Sequence, residues 1–65
     1  MKFIKELKTK DVIKLGDLII WDDGDSWEVL DLVEDICVGQ TYRSFRQDYE
    51  NSFVYRLVAA SAKKP

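Results

Sequence analysis

The chain has 65 residues, no His, one Cys and a formal net charge of -2 at pH 7. This composition excludes a disulfide framework and a Cys-based zinc site, and it removes the commonest general base and metal ligand of enzymes. No apolar run approaches the roughly 18 residues that span a bilayer. We therefore expect one small domain over residues 1–65, with 61–65 as a frayed tail, in a reducing cytoplasm.

The size of the chain limits how stable a fold it can form. A domain of this length buries only about 60% of the surface that the unfolded chain exposes. Because 46% of the residues are hydrophobic, a folded core is credible, but its margin is small. A homodimer that buries one more face would add to the stability of the fold.

Charge is segregated along the sequence. Residues 1–16 carry five Lys and two acids, and residues 36–65 carry five bases and two acids. Residues 17–35 carry eight acids and no base. This pattern predicts an acidic surface built from the middle of the chain.

The first half of the chain predicts a strand followed by a hairpin. Residues 2–7 (KFIKEL) fit a strand or a short helical stripe, and their shortness favours a strand. Gly16 is placed to take a positive φ in a turn. Residues 17–22 are rich in β-branched and aromatic side chains, Asp23-Gly24 is a strong hairpin turn signal, and residues 26–34 read as the partner strand.

The second half predicts two more strands, over 41–46 and 52–59. In the first of them a rival interpretation exists, because Tyr42, Phe45 and Tyr49 are also spaced for one face of a short helix. Five short strands in a chain of this size must curl around one core. The expected fold is therefore all-β, mainly a small five-stranded SH3-like barrel. The stretch VIKLGDLIIWDDGDSWEVL (12–30) resembles the opening of many SH3-like barrels, and this resemblance implies a fold but no function.

The register of the hairpin decides where Trp21 lies. A two-residue Asp23-Gly24 turn sets Ile20 opposite Trp27 and directs Trp21 outward, whereas a three-residue loop over 22–24 sets Trp21 opposite Asp25. We favour the two-residue turn, which leaves Trp21 exposed beside the aspartates.

The residues of this chain do not predict catalysis. Taking Asp22 as the first position of an EF-hand loop places Trp27 where the loop requires Gly, so the calcium interpretation fails. The Ser residues have no His partner, and the carboxylates lie where solvent should reach them. Cys37 lies beside Ile36 and Val38 and is expected to pack as a small hydrophobe. We expect no enzyme activity, no cofactor and no metal.

The favoured hypothesis is a non-enzymatic protein-binding module that docks a basic partner through its acidic hairpin face. In it Trp21 is the apolar anchor and the acids form a charged ring. The ring comprises Asp22, Asp23, Asp25, Glu28, Asp31, Glu34 and Asp35. Small acidic chains without motifs are similar to the proteins that phages use to inhibit host nucleic-acid-handling or defence proteins, which would place this chain in a host cytoplasm.

An alternative hypothesis is a nucleic-acid-binding module, since aromatic side chains stack on bases while Arg contacts phosphates. Its candidate residues are Tyr42, Arg43, Phe45, Arg46 and Arg56. Against it, the aromatic residues are needed for the core, and the Arg side chains have the acidic segment as a partner. A third hypothesis is a homo-oligomeric structural subunit. No membrane partner is expected.

Overall fold

A computed structural model describes residues 2–59, and side chains within 4–58. Four strands form one antiparallel sheet in the order β1-β4-β2-β3. They are β1 (Lys2–Glu6), β2 (Leu18–Trp21), β3 (Ser26–Glu28) and β4 (Ser52–Ala59). A 3-10 helix (Val38–Gln40) leads directly into a single-turn helix α1 (Thr41–Ser44) before β4. The prediction of a mainly β protein is confirmed.

The predicted five-stranded SH3-like barrel is not confirmed, because the described sheet has four strands and is open. The strand predicted over 41–46 is wrong, and the rival helix interpretation is right for Thr41–Ser44. Tyr42, Phe45 and Tyr49 pack against the core from one side, which a strand over the same residues could not arrange. The predicted tail over 61–65 lies outside the described residues.

The strand predicted over 26–34 ends at Glu28. Val29 is buried, but Leu30 and Val33 are exposed. The expected strand with apolar side chains buried on both faces is therefore not formed. Val29 still exchanges backbone hydrogen bonds with Asp17 and Gly16, and after it the chain continues to residue 35 as an irregular, mostly exposed segment.

The hairpin has the three-residue loop, so the preference for a two-residue turn is wrong. Trp21 N–H donates to Asp25 O at 2.8 Å, and Ile19 lies opposite Trp27. Gly24 has φ of 90°, a left-handed conformation that costs a residue with a Cβ about 1–2 kcal/mol. Because the loop starts one residue earlier, Trp21 joins Ile19 on the inner face of the sheet.

The core lies between the inner face of the sheet and the segments that cross it. Its buried apolar side chains are Leu7, Ile13, Ile19, Trp21, Val29, Ile36, Val38 and Val54. Residues 36–38 run alongside 11–13, with Ile13 N–H donating to Ile36 O at 2.8 Å and Val38 N–H to Asp11 O at 3.0 Å. The predicted turn before β2 is confirmed, since Gly16 has φ of 90°.

Gly39 lies in the 3-10 helix, at a close approach between two segments. Its N–H donates to Thr9 O at 3.0 Å, and a Cβ at this position would lie 2.5 Å from Thr9 Cγ2. Nearby, the buried Thr41 hydroxyl donates to Val38 O at 2.8 Å and is hydrogen-bonded to Ser52 Oγ. These contacts fix the helical segment against β4.

Candidate functional site

Trp21 is not the exposed anchor that the sequence predicted, because only 2% of it is accessible to solvent. Its ring lies 6.4 Å from the ring of Tyr49, measured between centroids. Its neighbour across the hairpin, Trp27, is 40% exposed and meets Phe45 edge-to-face at 5.1 Å. Both Trp side chains therefore hold the segment after α1 against the hairpin.

The three aspartates of the turn bond to that same segment, and we call this group the turn cluster: Asp22, Asp23, Asp25, Arg46 and Tyr49. Tyr49 OH donates to Asp23 Oδ2 at 2.6 Å, and Arg46 Nη1 donates to Asp25 Oδ2 at 2.8 Å. Asp22 Oδ2 accepts the backbone N–H groups of residues 50 and 51 at 3.2 and 3.4 Å. Donors of this chain therefore occupy an oxygen of every aspartate in the turn.

Arg46 lies at the centre of the turn cluster. Its guanidinium carbon is 4.0 Å from the ring centroid of Tyr49 and 5.4 Å from that of Trp21, both within cation–π range. Its Nη2 is 3.5 Å from Asp23 Oδ2. The hydrogen bond from Tyr49 and that from the Asp25 backbone lower the pKa of Asp23, and the same bond to Asp23 raises the pKa of Tyr49.

A second ion pair joins the buried Asp17 to Arg56 of β4. Only 1% of Asp17 is exposed, and its carboxylate accepts Arg56 Nε and Nη2, each at 2.9 Å. Lys14 N–H donates to the same carboxylate at 2.9 Å, and Arg56 Nη2 also donates to Val12 O at 3.0 Å. Burial raises the pKa of Asp17, but the hydrogen bonds from Arg56 and Lys14 outweigh burial and leave that pKa below its usual value.

The remaining acids lie after the turn, in a stretch that we call the acidic loop (residues 28–35). Its carboxylates are all exposed, and none forms an ion pair or a hydrogen bond within side chains 4–58. They are Glu28, Asp31, Glu34 and Asp35. Between them, Val33 is 96% exposed and Leu30 is 71% exposed.

The acidic loop also borders an open depression. Leu32 turns partly towards the core, and with Ile36 and Phe45 it lines a groove of about 450 Å³ that continues to Val33 and Asp31. An apolar floor beside exposed carboxylates is the arrangement that accepts a side chain combining an apolar stem with a cationic head, such as Lys or Arg.

The residues of the nucleic-acid alternative are not brought together as one free surface. Arg46 bonds to the turn cluster and Arg56 to Asp17, as the competing interpretation expected. Tyr42 and Phe45 are half-buried against the core. Arg43 is exposed, with its guanidinium carbon 5.5 Å from the ring centroid of Tyr42. Among the described side chains of the three candidate Arg residues, only that of Arg43 forms no ion pair.

The described part of the chain was compared with three other classes of site: a metal site, a membrane-spanning helix and a reactive thiol. Residues 2–59 hold no cluster of three or more His, Cys, Asp or Glu arranged for a metal ion. None of the helices formed there has the length and apolar character that crossing a membrane requires. Cys37 is a half-buried free thiol in the bridge to Val12.

Sequence reasoning missed three functional or structural positions. It grouped Asp17 with the surface acids. The Gly-Asp pair at 16–17 ends a turn, and there the Asp17 carboxylate accepts the backbone N–H of Lys14. It treated Leu30 and Val33 as strand residues, although the acids at 28, 31 and 34 recur every third residue and would lie on both faces of such a strand, which is unusual in a strand covered on both faces.

Comparison with known proteins gives no family for this chain: no family model matches it, and neither a curated protein nor a solved structure matches significantly.

Proposed function

We propose that this protein is a non-enzymatic binding module that docks a basic protein partner through the acidic loop. The observation that carries this proposal is Val33, which is 96% exposed between carboxylates that have no partner within the described side chains. In the proposal Val33 and Leu30 replace Trp21 as the apolar anchors. Glu28, Asp31 and the pair 34–35 form the charged ring around them.

The division of the acids supports this choice of surface. The turn aspartates are bonded to Arg46, Tyr49 and backbone N–H groups, so binding a partner there would first require breaking those contacts. The acidic loop requires no such exchange. Its carboxylates would steer a basic surface during approach, while an apolar side chain at the centre of the contact supplies affinity.

The choice of a protein partner rests on the same exposed apolar side chains. A small ion would need converging oxygen ligands, and a nucleic acid would be repelled by four carboxylates. A protein with a Lys- or Arg-rich rim and an apolar depression satisfies both halves of the surface. This binding mode is compatible with two further predictions: that the protein is a phage-type inhibitor of a host protein, and that it acts in the cytoplasm.

Quantitative affinity capture tests the proposal. The wild-type protein is immobilised beside a Leu30→Ser, Val33→Ser variant and a control, Ile4→Ser, whose side chain is 66% exposed on β1, at the opposite edge of the sheet from β3. We expect one protein to be retained by the wild type and the control, and at least about tenfold less by the loop variant, with retention falling at high salt. Equal retention by all three would refute the proposal.

The nucleic-acid alternative is separated by a direct titration. Single-stranded RNA and DNA oligonucleotides are titrated with wild type and with Arg43→Ala at low and high salt. We expect no binding beyond weak non-specific association. Tight, salt-sensitive binding that Arg43→Ala weakens would favour the alternative and contradict the proposal.

A further inference from the structure

The outer face of the sheet, which points away from the core, is apolar along its middle. Because side chains alternate along a strand, the register places the outward residues between positions 4 and 57 in three rows across the sheet. Ile4 lies opposite Leu57, and Ile20 lies opposite Phe53. In the middle row Glu6, Tyr55, Leu18 and Glu28 follow one another across all four strands.

This face is exposed to a degree that is unusual for its composition. The exposed fraction is 66% for Ile4, 57% for Leu57, 48% for Phe53 and 37% for Leu18. A shallow groove of about 190 Å³ runs between Ile4, Leu18, Tyr55 and Leu57, which makes these side chains one continuous surface. We call it the outer face, comprising Ile4, Leu18, Ile20, Phe53, Tyr55 and Leu57.

We propose that the outer face is the interface of a homodimer, in which two sheets pack face to face. The proposal does not rest on the binding function of the acidic loop, since the two surfaces share only Glu28 at their border.

The exposed area is in the range that a weak dimer needs. Large side chains present on the order of 150–200 Å² when fully exposed, so the four exposed fractions leave roughly 350 Å² of mostly apolar surface. The half-buried Tyr55 and Ile20 and the rim add to it, towards the roughly 600 Å² per partner of a small specific interface. Interfaces at this small end are typical of weak, transient association.

Charge and shape favour a second copy as the occupant. Arg56 also lines the groove, but it is paired with Asp17, so an acidic partner finds no unpaired cation among the described side chains around the groove. The carboxylates Glu6 and Glu28 lie only at the two ends of the middle row. A flat apolar stripe along β4 is complementary to itself under a two-fold rotation, and two sheets pack about 10 Å apart with such stripes interdigitated.

Dimerisation would also supply what a chain of this length lacks. Among the described side chains, eight apolar ones form the buried core, and four large ones are exposed on the outer face. Burying that face in a dimer adds a second apolar layer, which converts a one-sided sheet into the centre of a four-layer assembly.

Sedimentation velocity over a range from about 5 µM to about 500 µM tests the proposal, because dimerisation is driven by mass action. We expect the wild type to shift from monomer to dimer over this range. Leu57→Lys, which places a charge on the apolar stripe opposite Ile4, should weaken the dimer at least tenfold. The control Val33→Lys carries the same charge change on the acidic loop and should dimerise at least as well as the wild type.

Ile4→Lys, on the edge strand, is a second disrupting variant, so the test survives if Leu57→Lys fails to fold by circular dichroism. Raising the salt concentration should leave the dimer unchanged or strengthen it, because the contact is apolar and the rim carboxylates repel one another. A wild type that stays monomeric at the highest concentration would overturn the proposal. Equal weakening by Leu57→Lys and Val33→Lys would also overturn it, as would dimerisation that high salt abolishes.

Discussion

Removing Arg56 leaves a buried carboxylate without its cation, and the structure sets the expected cost. In an Arg56→Met variant the methylene stem is kept, but Asp17 loses two hydrogen bonds of 2.9 Å and Val12 O loses one of 3.0 Å. Asp17 remains only 1% exposed, so water does not replace these bonds without a rearrangement.

The expected loss in the free energy of unfolding is about 3 kcal/mol. Breaking a buried ion pair by removing one partner costs about 3–5 kcal/mol, and the lower end applies because 27% of the Arg56 side chain is exposed. A chain of 65 residues has a total stability of roughly 3–10 kcal/mol. The variant should therefore be marginally folded at neutral pH.

The pH dependence of this loss identifies its cause. In the wild type the pKa of Asp17 is lowered, so the pair stabilises the fold above about pH 5, and this contribution is lost as pH falls through the lowered pKa. In Arg56→Met burial acts without the guanidinium, so we expect the pKa of Asp17 to rise and protonation to relieve the buried charge. The difference in stability between the two proteins should therefore shrink from pH 7 to pH 4.

Urea unfolding followed by Trp fluorescence measures these differences, because Trp21 is buried in the folded state. Asp17→Asn combined with Arg56→Met should recover part of the loss, since the charge is gone. The matched control is Arg43→Met, which removes an exposed Arg and should change stability by less than about 0.5 kcal/mol. A loss for Arg56→Met below about 1 kcal/mol, or one that does not vary with pH, would refute the reasoning.

Three further substitutions test the core, a close approach and the turn cluster. Trp21→Ala should cost about 3–5 kcal/mol, because the side chain is 2% exposed, and thermal unfolding should show it. Gly39→Ala should cost about 1–3 kcal/mol through the clash with Thr9 Cγ2, and Thr9→Ser should restore much of this loss in urea unfolding. Tyr49→Phe removes the hydrogen bond to Asp23, so an NMR titration should show the pKa of Asp23 rising towards its ordinary value.

The elements with one dominant local signal could be predicted from the sequence. The strands at 2–7, 17–22 and 52–59 agree with β1, β2 and β4 within a residue or so at their ends, and the turns at Gly16 and Gly24 are present. At 17–22 and 52–59 the β-branched and aromatic residues leave few alternatives, as does a Gly with positive φ at each turn, whereas 2–7 was assigned to a strand on its shortness.

The elements that were predicted wrongly depend on contacts between residues distant in sequence. The stretch at 41–46 has strand-like composition, but the helix Thr41–Ser44 lets Tyr42 and the following Phe45 both pack on the core. The hairpin register was chosen on local turn preference, whereas burial of Trp21 and the bonds from Arg46 and Tyr49 favour the longer loop. Sequence alone could not reveal that the two groups of acids differ, because residues more than twenty positions away neutralise the turn aspartates.

Site-specific crosslinking tests the central claim most directly, namely that the acidic loop is where a basic protein binds. A photo-crosslinking amino acid is placed at position 33, which is 96% exposed, and in a separate protein at position 4, which is 66% exposed on the opposite edge of the sheet from β3. We predict that position 33 crosslinks one basic protein in a lysate of the source cells, that unlabelled wild type competes for it, and that position 4 does not crosslink this protein. Equal crosslinking from both positions, or a nucleic acid as the species captured at position 33, would contradict the account.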